Sequence, residues 1–140
     1  MDIIDTLSVA ASGLTAQRVR MQTVATNMAN ARTTRTADGE AYRRRMPVFE
    51  ARPTTPFGTQ LEEAMERVHV TEIAESDDPF VRVFDPSHPD ADADGYVEFP
   101  NVNVLEEMVD MMMTARTYEA NTKVVTVTRE MAGAALDIGR

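Results

Sequence analysis

From Val102 to the C-terminus, apolar residues recur at helical spacing on two faces at once. One seam runs through Val104, Met108, Met111, Ala115, Tyr118, Thr122, Val125, Arg129, Ala132 and Leu136. A second runs through Val109, Met113, Arg116, Ala120, Val124, Val127, Met131, Ala134 and Ile138. A helix that is apolar on two sides must be covered from two sides. The chain has 140 residues, enough for a single core. Folding onto itself can cover one seam; the other calls for a surface from outside. Methionine, present ten times, suits such contacts because its unbranched side chain fills irregular gaps.

The partner for the first seam lies at the other end of the chain. From Ile3, steps of four and three pass Leu7, Ala10, Leu14, Gln17, Met21, Val24, Met28 and Ala31, a heptad pattern held for four repeats. Arg18, Arg20, Gln22 and Asn27 fall between these positions and read as a solvent or partner face. Asn30 suits a helix stop, since Asn tolerates the left-handed conformation. Between the two ends the character changes. All seven prolines lie from Pro47 to Pro100, which excludes a long helix there. Asp38-Gly39 is a turn signal, and residues 42–51, 67–75 and 79–85 read as short strands of one antiparallel unit. Residues 61–66 read as a helical turn or a loop.

The expected fold is therefore mainly α with a small β part. Long N- and C-terminal helices (1–31 and 102–140) pair as an α-helical coiled coil and form one core. A central antiparallel β region with long loops spans 32–101. Two helices well beyond 25 residues point to a coiled coil or an assembly.

Charge narrows the class of partner. Residues 1–52 carry eight Arg against five acids, whereas residues 53–103 carry two Arg against twelve acids. That acidic middle argues against nucleic acid as a partner and leaves "YRRRM" (42–46) as a solvated strand or subunit contact. Without Cys there is no disulfide framework and no thiolate site. Asp90, Asp92, Asp94 and Gly95 open like a calcium loop, but Asn101 stands where the last Glu ligand belongs. His69, His88 and the serines fall in no catalytic spacing. No catalytic, cofactor or metal site is expected, and a polar surface loop is the reading of 85–101. The first residues have neither a basic start nor a sustained apolar run, so a soluble chain without a cleavable signal is expected, and no stretch suits a membrane span.

"SGLTAQRVRMQTVATNMANARTTRT" (12–36) resembles the N-terminal motif of the bacterial flagellar rod and hook proteins. "EMVDMMMTARTYEANTKVV" (107–125) resembles their C-terminal motif. Within that axial family, "GEAYRRRMPVFEA" (39–51) and "HPDADADGYVEFPNVNVLEEM" (88–108) are similar to the proximal-rod members. The resemblance implies a structural subunit of the basal-body rod, which crosses the periplasm and transmits torque for motility. It implies export, uncleaved, through the flagellar type III apparatus. The implied partners are other copies, other rod proteins and the surrounding basal-body ring. Family motifs fall on Gly13, Leu14, Gln17, Asn27, Ala29 and Asn30, and on Arg116, Tyr118, Glu119, Ala120 and Asn121. Together with the seams they give an expected subunit interface of Leu7, Leu14, Gln17, Met21, Asn27, Met28, Asn30, Met108, Met112, Arg116, Tyr118, Glu119, Asn121 and Val124. The competing expectation is a closed helical-hairpin dimer serving as a protein-binding module.

Overall fold

The computed structural model describes residues 3–53 and 66–138. Helix α1 (Ile3–Ala29) leads through a turn-rich stretch into strand β1 (Arg45–Pro53), and β2 (Glu66–Glu75) follows. Strands β3 (Val81–Phe84) and β4 (Tyr96–Phe99) precede helix α2 (Val104–Ile138). At 1.5 Å per residue the helices span roughly 40 and 52 Å. The two long helices and the first three strands lie where periodicity and the prolines put them. The expected helical turn or loop at 61–66 lies, Glu66 apart, outside the described residues.

The ends of the helices are set by side chains. Asn103 caps α2: its Oδ1 accepts from Leu105 N at 3.1 Å while its Nδ2 donates to Glu106 Oε1 at 3.0 Å. Asn30 stops α1, but not by a left-handed backbone, since no non-glycine residue has positive φ among those described. Its side-chain amide instead donates at 2.9 Å to the Thr26 carbonyl, which also accepts the Asn30 backbone N–H at 3.1 Å, so both groups close the last turn.

The β region corrects the expectation of one sheet. β1 and β2 form one antiparallel ladder, with a register shift between Val48 and Phe49. β3 and β4 form a second, separate one. The "GYVEF" run inside the predicted surface loop is β4, with Val97 fully buried. Gly95, at φ 82°, turns the chain into it, beneath the Phe84 ring that a Cβ would meet at 2.9 Å. The aspartates of this loop are engaged by the protein. Asp92 Oδ1 accepts from the backbone N–H of Tyr96 and of Asp94, and Oδ2 from Arg82. The Tyr96 bond leads in holding its carboxyl below the usual range. Asp90 accepts from Thr34 Oγ1 at 2.8 Å.

The helices run antiparallel, with Asn27 beside Glu107 and Gly13 beside Asn121. α1 is the helix covered from two sides. α2 lies on one flank and the β1–β2 hairpin on the other, from the Arg45 backbone at Asn27 to the Val68 amide at Ser12. Its buried residues are accordingly Ala10, Ala16, Thr23, Val24 and Asn27, and of the predicted seam only Ala10 and Val24 are among them. Asn27, placed by pattern on a solvent or partner face, is 1% exposed.

α2 contacts α1 and no strand among the described residues. It also presents a different stripe from the one expected. Glu107 and Thr114 are its buried residues, and Met111, Asn121, Val125, Thr128 and Ala132 continue their line half-buried. The first predicted seam shares only Met111, Ala115, Val125 and Ala132 with the covered side; Met108 and Leu136 are open to solvent. A polar stripe can turn inward because its groups are paired. The Thr114 hydroxyl donates to its own helix at the Asp110 carbonyl (2.7 Å), Asp110 takes the Arg20 guanidinium, and Glu107 has partners described below.

Candidate subunit interface

Two features stand out on this scaffold: a buried polar junction that joins the elements, and apolar helix faces left without a cover.

The junction is centred on Asn27, near the last turn of α1. Its amide makes all four hydrogen bonds that an Asn side chain can make. Nδ2 donates to the Arg45 carbonyl (2.8 Å) and to Glu107 Oε2 (3.0 Å). Oδ1 accepts from the Arg45 amide and the Tyr42 hydroxyl, both at 2.9 Å. Toward Arg45 the side chain thus acts as a strand edge would, pairing both backbone groups of the first residue of β1. Glu107, fully buried at the start of α2, takes Arg44 Nε on its other oxygen at 2.6 Å. The Arg44 amide is held by Asn101 Oδ1 and its carbonyl by Ser76 N. Burial pushes the Tyr42 phenol above its ordinary pKa, against the opposing pull of Arg45.

Farther along the helix pair, Gly13 meets Asn121. A Cβ on Gly13 would stand 3.0 Å from Asn121 Nδ2, so the absence of a side chain sets how closely the helices approach. An alanine could be met by a small shift of the amide. Gly13→Val puts branched bulk at the crossing, a steric clash that outweighs Val being a better helix former than Gly, so the outer helix pair should separate. The expected result is a clear loss of far-UV helical signal in the purified chain with the β1–β2 NMR resonances retained; an unchanged helical signal would remove Gly13 as the spacer.

The uncovered faces lie mainly on α2. Along its second seam Val109 is 46% exposed, Met113 63%, Val124 45%, Val127 40% and Met131 67%. The last residues, Leu136 and Ile138, are more open still. Extending the pairing of Gly13 with Asn121 brings Ile3 beside Met131, so α2 overhangs α1 by about two turns. Covering what remains open on these side chains is worth on the order of 5 kcal/mol. The β1–β2 hairpin adds Met46, Val48, Phe49, Val68 and Ile73, each more than a third exposed.

The residues expected at a subunit interface divide accordingly. Met108, Met112, Tyr118 and Val124 are exposed large apolar residues. Arg116 and Glu119 also face outward, and they form no ion pair with each other. Leu7, Leu14, Gln17, Met21 and Met28 are half-buried on α1. Gln17 Oε1 is buried without a hydrogen-bond donor. Asn27, Asn30 and Asn121 make contacts within the chain, at the junction, the helix stop and the Gly13 crossing. Pattern analysis missed Glu107 and Arg44, whose pairing spans 63 residues of sequence. The only local sign was an acid one residue ahead of a methionine block, which reads as an ordinary solvated position.

This arrangement holds no cluster of His, Asp or Glu side chains fit for a metal among the described residues, and no described helix is long and apolar enough to cross a membrane. What it offers is exposed apolar surface, and known proteins identify the class. Residues 7–35 match the family model "Flagella basal body rod protein", and residues 93–138 match "Flagellar basal body rod FlgEFG protein C-terminal". Both matches fall chiefly on α1 and α2, so the paired terminal helices are those of a flagellar rod protein. Full-length relatives specify the branch. The chain is similar to flagellar basal-body rod protein FlgC of Borreliella burgdorferi, with 40% identity over 99% of this chain and 98% of the relative. It is 42% identical to that of Bacillus subtilis and 36% identical to that of Escherichia coli O6:H1, over the whole of each chain. The chain belongs to the FlgC family of flagellar basal-body rod proteins. Its function is structural: it is a subunit of the flagellar basal-body rod, which is built together with other rod proteins.

Proposed function

We propose that the fold of this chain is completed in the rod, where helices of neighbouring subunits cover the second seam of α2. In this reading α1 and α2 belong to a coiled-coil inner layer and the two small sheets lie outside it. Contacts of that kind repeat without closing, so each subunit presents two different complementary surfaces. Met108, Met112, Arg116, Tyr118, Glu119 and Val124 form one such surface, and Leu7, Leu14, Gln17, Met21 and Met28 contribute from α1. Asn27, Asn30 and Asn121 support the surfaces from within. The shaft so formed crosses the periplasm and carries torque to hook and filament, inside the surrounding basal-body ring. The subunit reaches it through the flagellar type III export apparatus without a cleaved signal.

One observation carries this reading. α2 turns a mixed stripe toward its own chain, with Glu107, Asp110, Thr114 and Asn121 beside Met111, Ala115, Val125 and Ala132, and leaves Val109, Met113, Val124, Val127 and Met131 in water. A self-contained protein would bury the apolar faces and expose the polar one.

Sedimentation and circular dichroism of the purified chain, alone and mixed with the neighbouring rod proteins, test the reading. Alone it should be monomeric with helix content below that of two complete helices, and content should rise on mixing. A dimer of fixed mass with both helices fully formed would instead establish the closed-hairpin module.

A further inference from the structure

We propose that Asn27 and Glu107 are positioning residues: they form a clasp that seats the start of α2 and the start of β1 on the end of α1. The helix pair then opens from the Gly13–Asn121 crossing outward while the clasped part stays one body. This would hold whether or not the α2 face receives neighbouring subunits.

The clasp joins three elements through one amide and one carboxylate. Asn27 belongs to α1 and reads both backbone groups of Arg45. Glu107 belongs to α2 and divides its oxygens between Asn27 and Arg44. Since α2 packs on no strand, the Glu107–Arg44 pair ties that helix to the β side of the molecule. Arg20 on Asp110 adds an α1–α2 pairing about one turn farther along α2.

Burial follows the same gradient. Glu107 and Thr114 are 0% and 1% exposed, whereas beyond Asn121 no described residue of α2 is buried. At the other end of the crossing, residues 3–9 of α1 likewise include none. Segments with few buried contacts and exposed backbone hydrogen bonds are the first to open. The hairpin holds α1 as far as Ser12, through the Val68 amide. The last buried residues toward the open end are Ala10 in α1 and Thr114 in α2, which lie on either side of the Gly13–Asn121 crossing and place the boundary of the lasting body there.

Hydrogen exchange on the purified full-length chain tests this. Amides of 20–29 and 104–114 should be protected with β1 and β2, and those of 124–138 should exchange at least about 100-fold faster. Asn27→Asp turns the donor facing both Glu107 Oε2 and the Arg45 carbonyl into an acceptor. It should raise opening of 20–29 and 104–114 together by at least about 30-fold, since both buried donations of Nδ2 are lost and two carboxylates then face each other. Adding Glu107→Gln restores a donor–acceptor pair across the 27–107 contact, though not the bond to the Arg45 carbonyl, and should recover part of that loss, whereas two residues that merely fill space would give additive losses. Uniform protection to the end of α2, or no recovery in the double variant, overturns the proposal. If Asn27→Asp fails to fold, the wild-type gradient still decides it, since protection of 104–114 no greater than that of 124–138 overturns it as well.

Discussion

Val124→Asp should abolish swimming while leaving the isolated subunit folded. Val124 stands in the middle of the second seam of α2 and is 45% exposed in the single chain. An aspartate there meets water on its open side, so the free protein should lose no more than about 1 kcal/mol, and its melting temperature should move by only a few degrees. In an assembled rod the same position would be closed by a neighbouring helix. An unpaired carboxylate buried there costs several kcal/mol after relaxation, and the cost recurs at every copy of the repeating contact. The two effects separate folding from assembly. Soft-agar motility and a thermal melt of the purified variant read them independently. Swimming at the wild-type rate would show that the face stays wet in the organelle. A collapsed melt would show that Val124 serves the fold of its own chain.

The elements were legible in the sequence wherever local rules govern. Heptad spacing and a proline-free run marked both helices, and alternation bounded by prolines marked β1, β2 and β3. The second seam of α2 was legible too, because an apolar side chain at helical spacing keeps its character whatever covers it. β4 escaped because four residues in an aspartate-rich loop carry too little alternation; they pair only once β3 is opposite, with Val83 against Val97. The side on which α2 meets α1 escaped for a deeper reason. Periodicity counts Glu107, Asp110, Thr114 and Asn121 as solvent-facing, since each is polar. Glu107, Asp110 and Asn121 turn inward because Asn27, Arg44, Arg20 and Gly13 complement them from segments 63 to 108 residues away, and the Thr114 hydroxyl is satisfied within its own helix. Such complementarity leaves no trace within one window of sequence. The exposed apolar face of α2 could therefore be read from α2 alone, but the junction that holds the chain together could not.

That junction gives the second large effect, and it falls on stability instead of assembly. Glu107→Ala should lower the melting temperature of the purified chain by about 10 °C, since breaking a buried ion pair by removing one partner costs roughly 3–5 kcal/mol and about 3 °C follows each kcal/mol in a chain of this size. The cost arises from the groups left behind. Arg44, with 27% of its side chain exposed, keeps a guanidinium with no carboxylate opposite, and Asn27 Nδ2 loses one of its two acceptors in a site from which water is excluded. The carboxylate volume is also lost at the fully closed end of α2, so a cavity adds to the penalty. Against a total stability of about 5–15 kcal/mol this is a large fraction. Glu107→Gln keeps the shape and one acceptor, yet its amide nitrogen faces the Asn27 donor, so it should fall between Ala and wild type. Calorimetric melts of the three proteins at equal concentration decide the matter. An alanine variant melting within about 2 °C of wild type would mean that the junction contributes geometry without stability, and that the helix pair is held by its half-buried stripe alone.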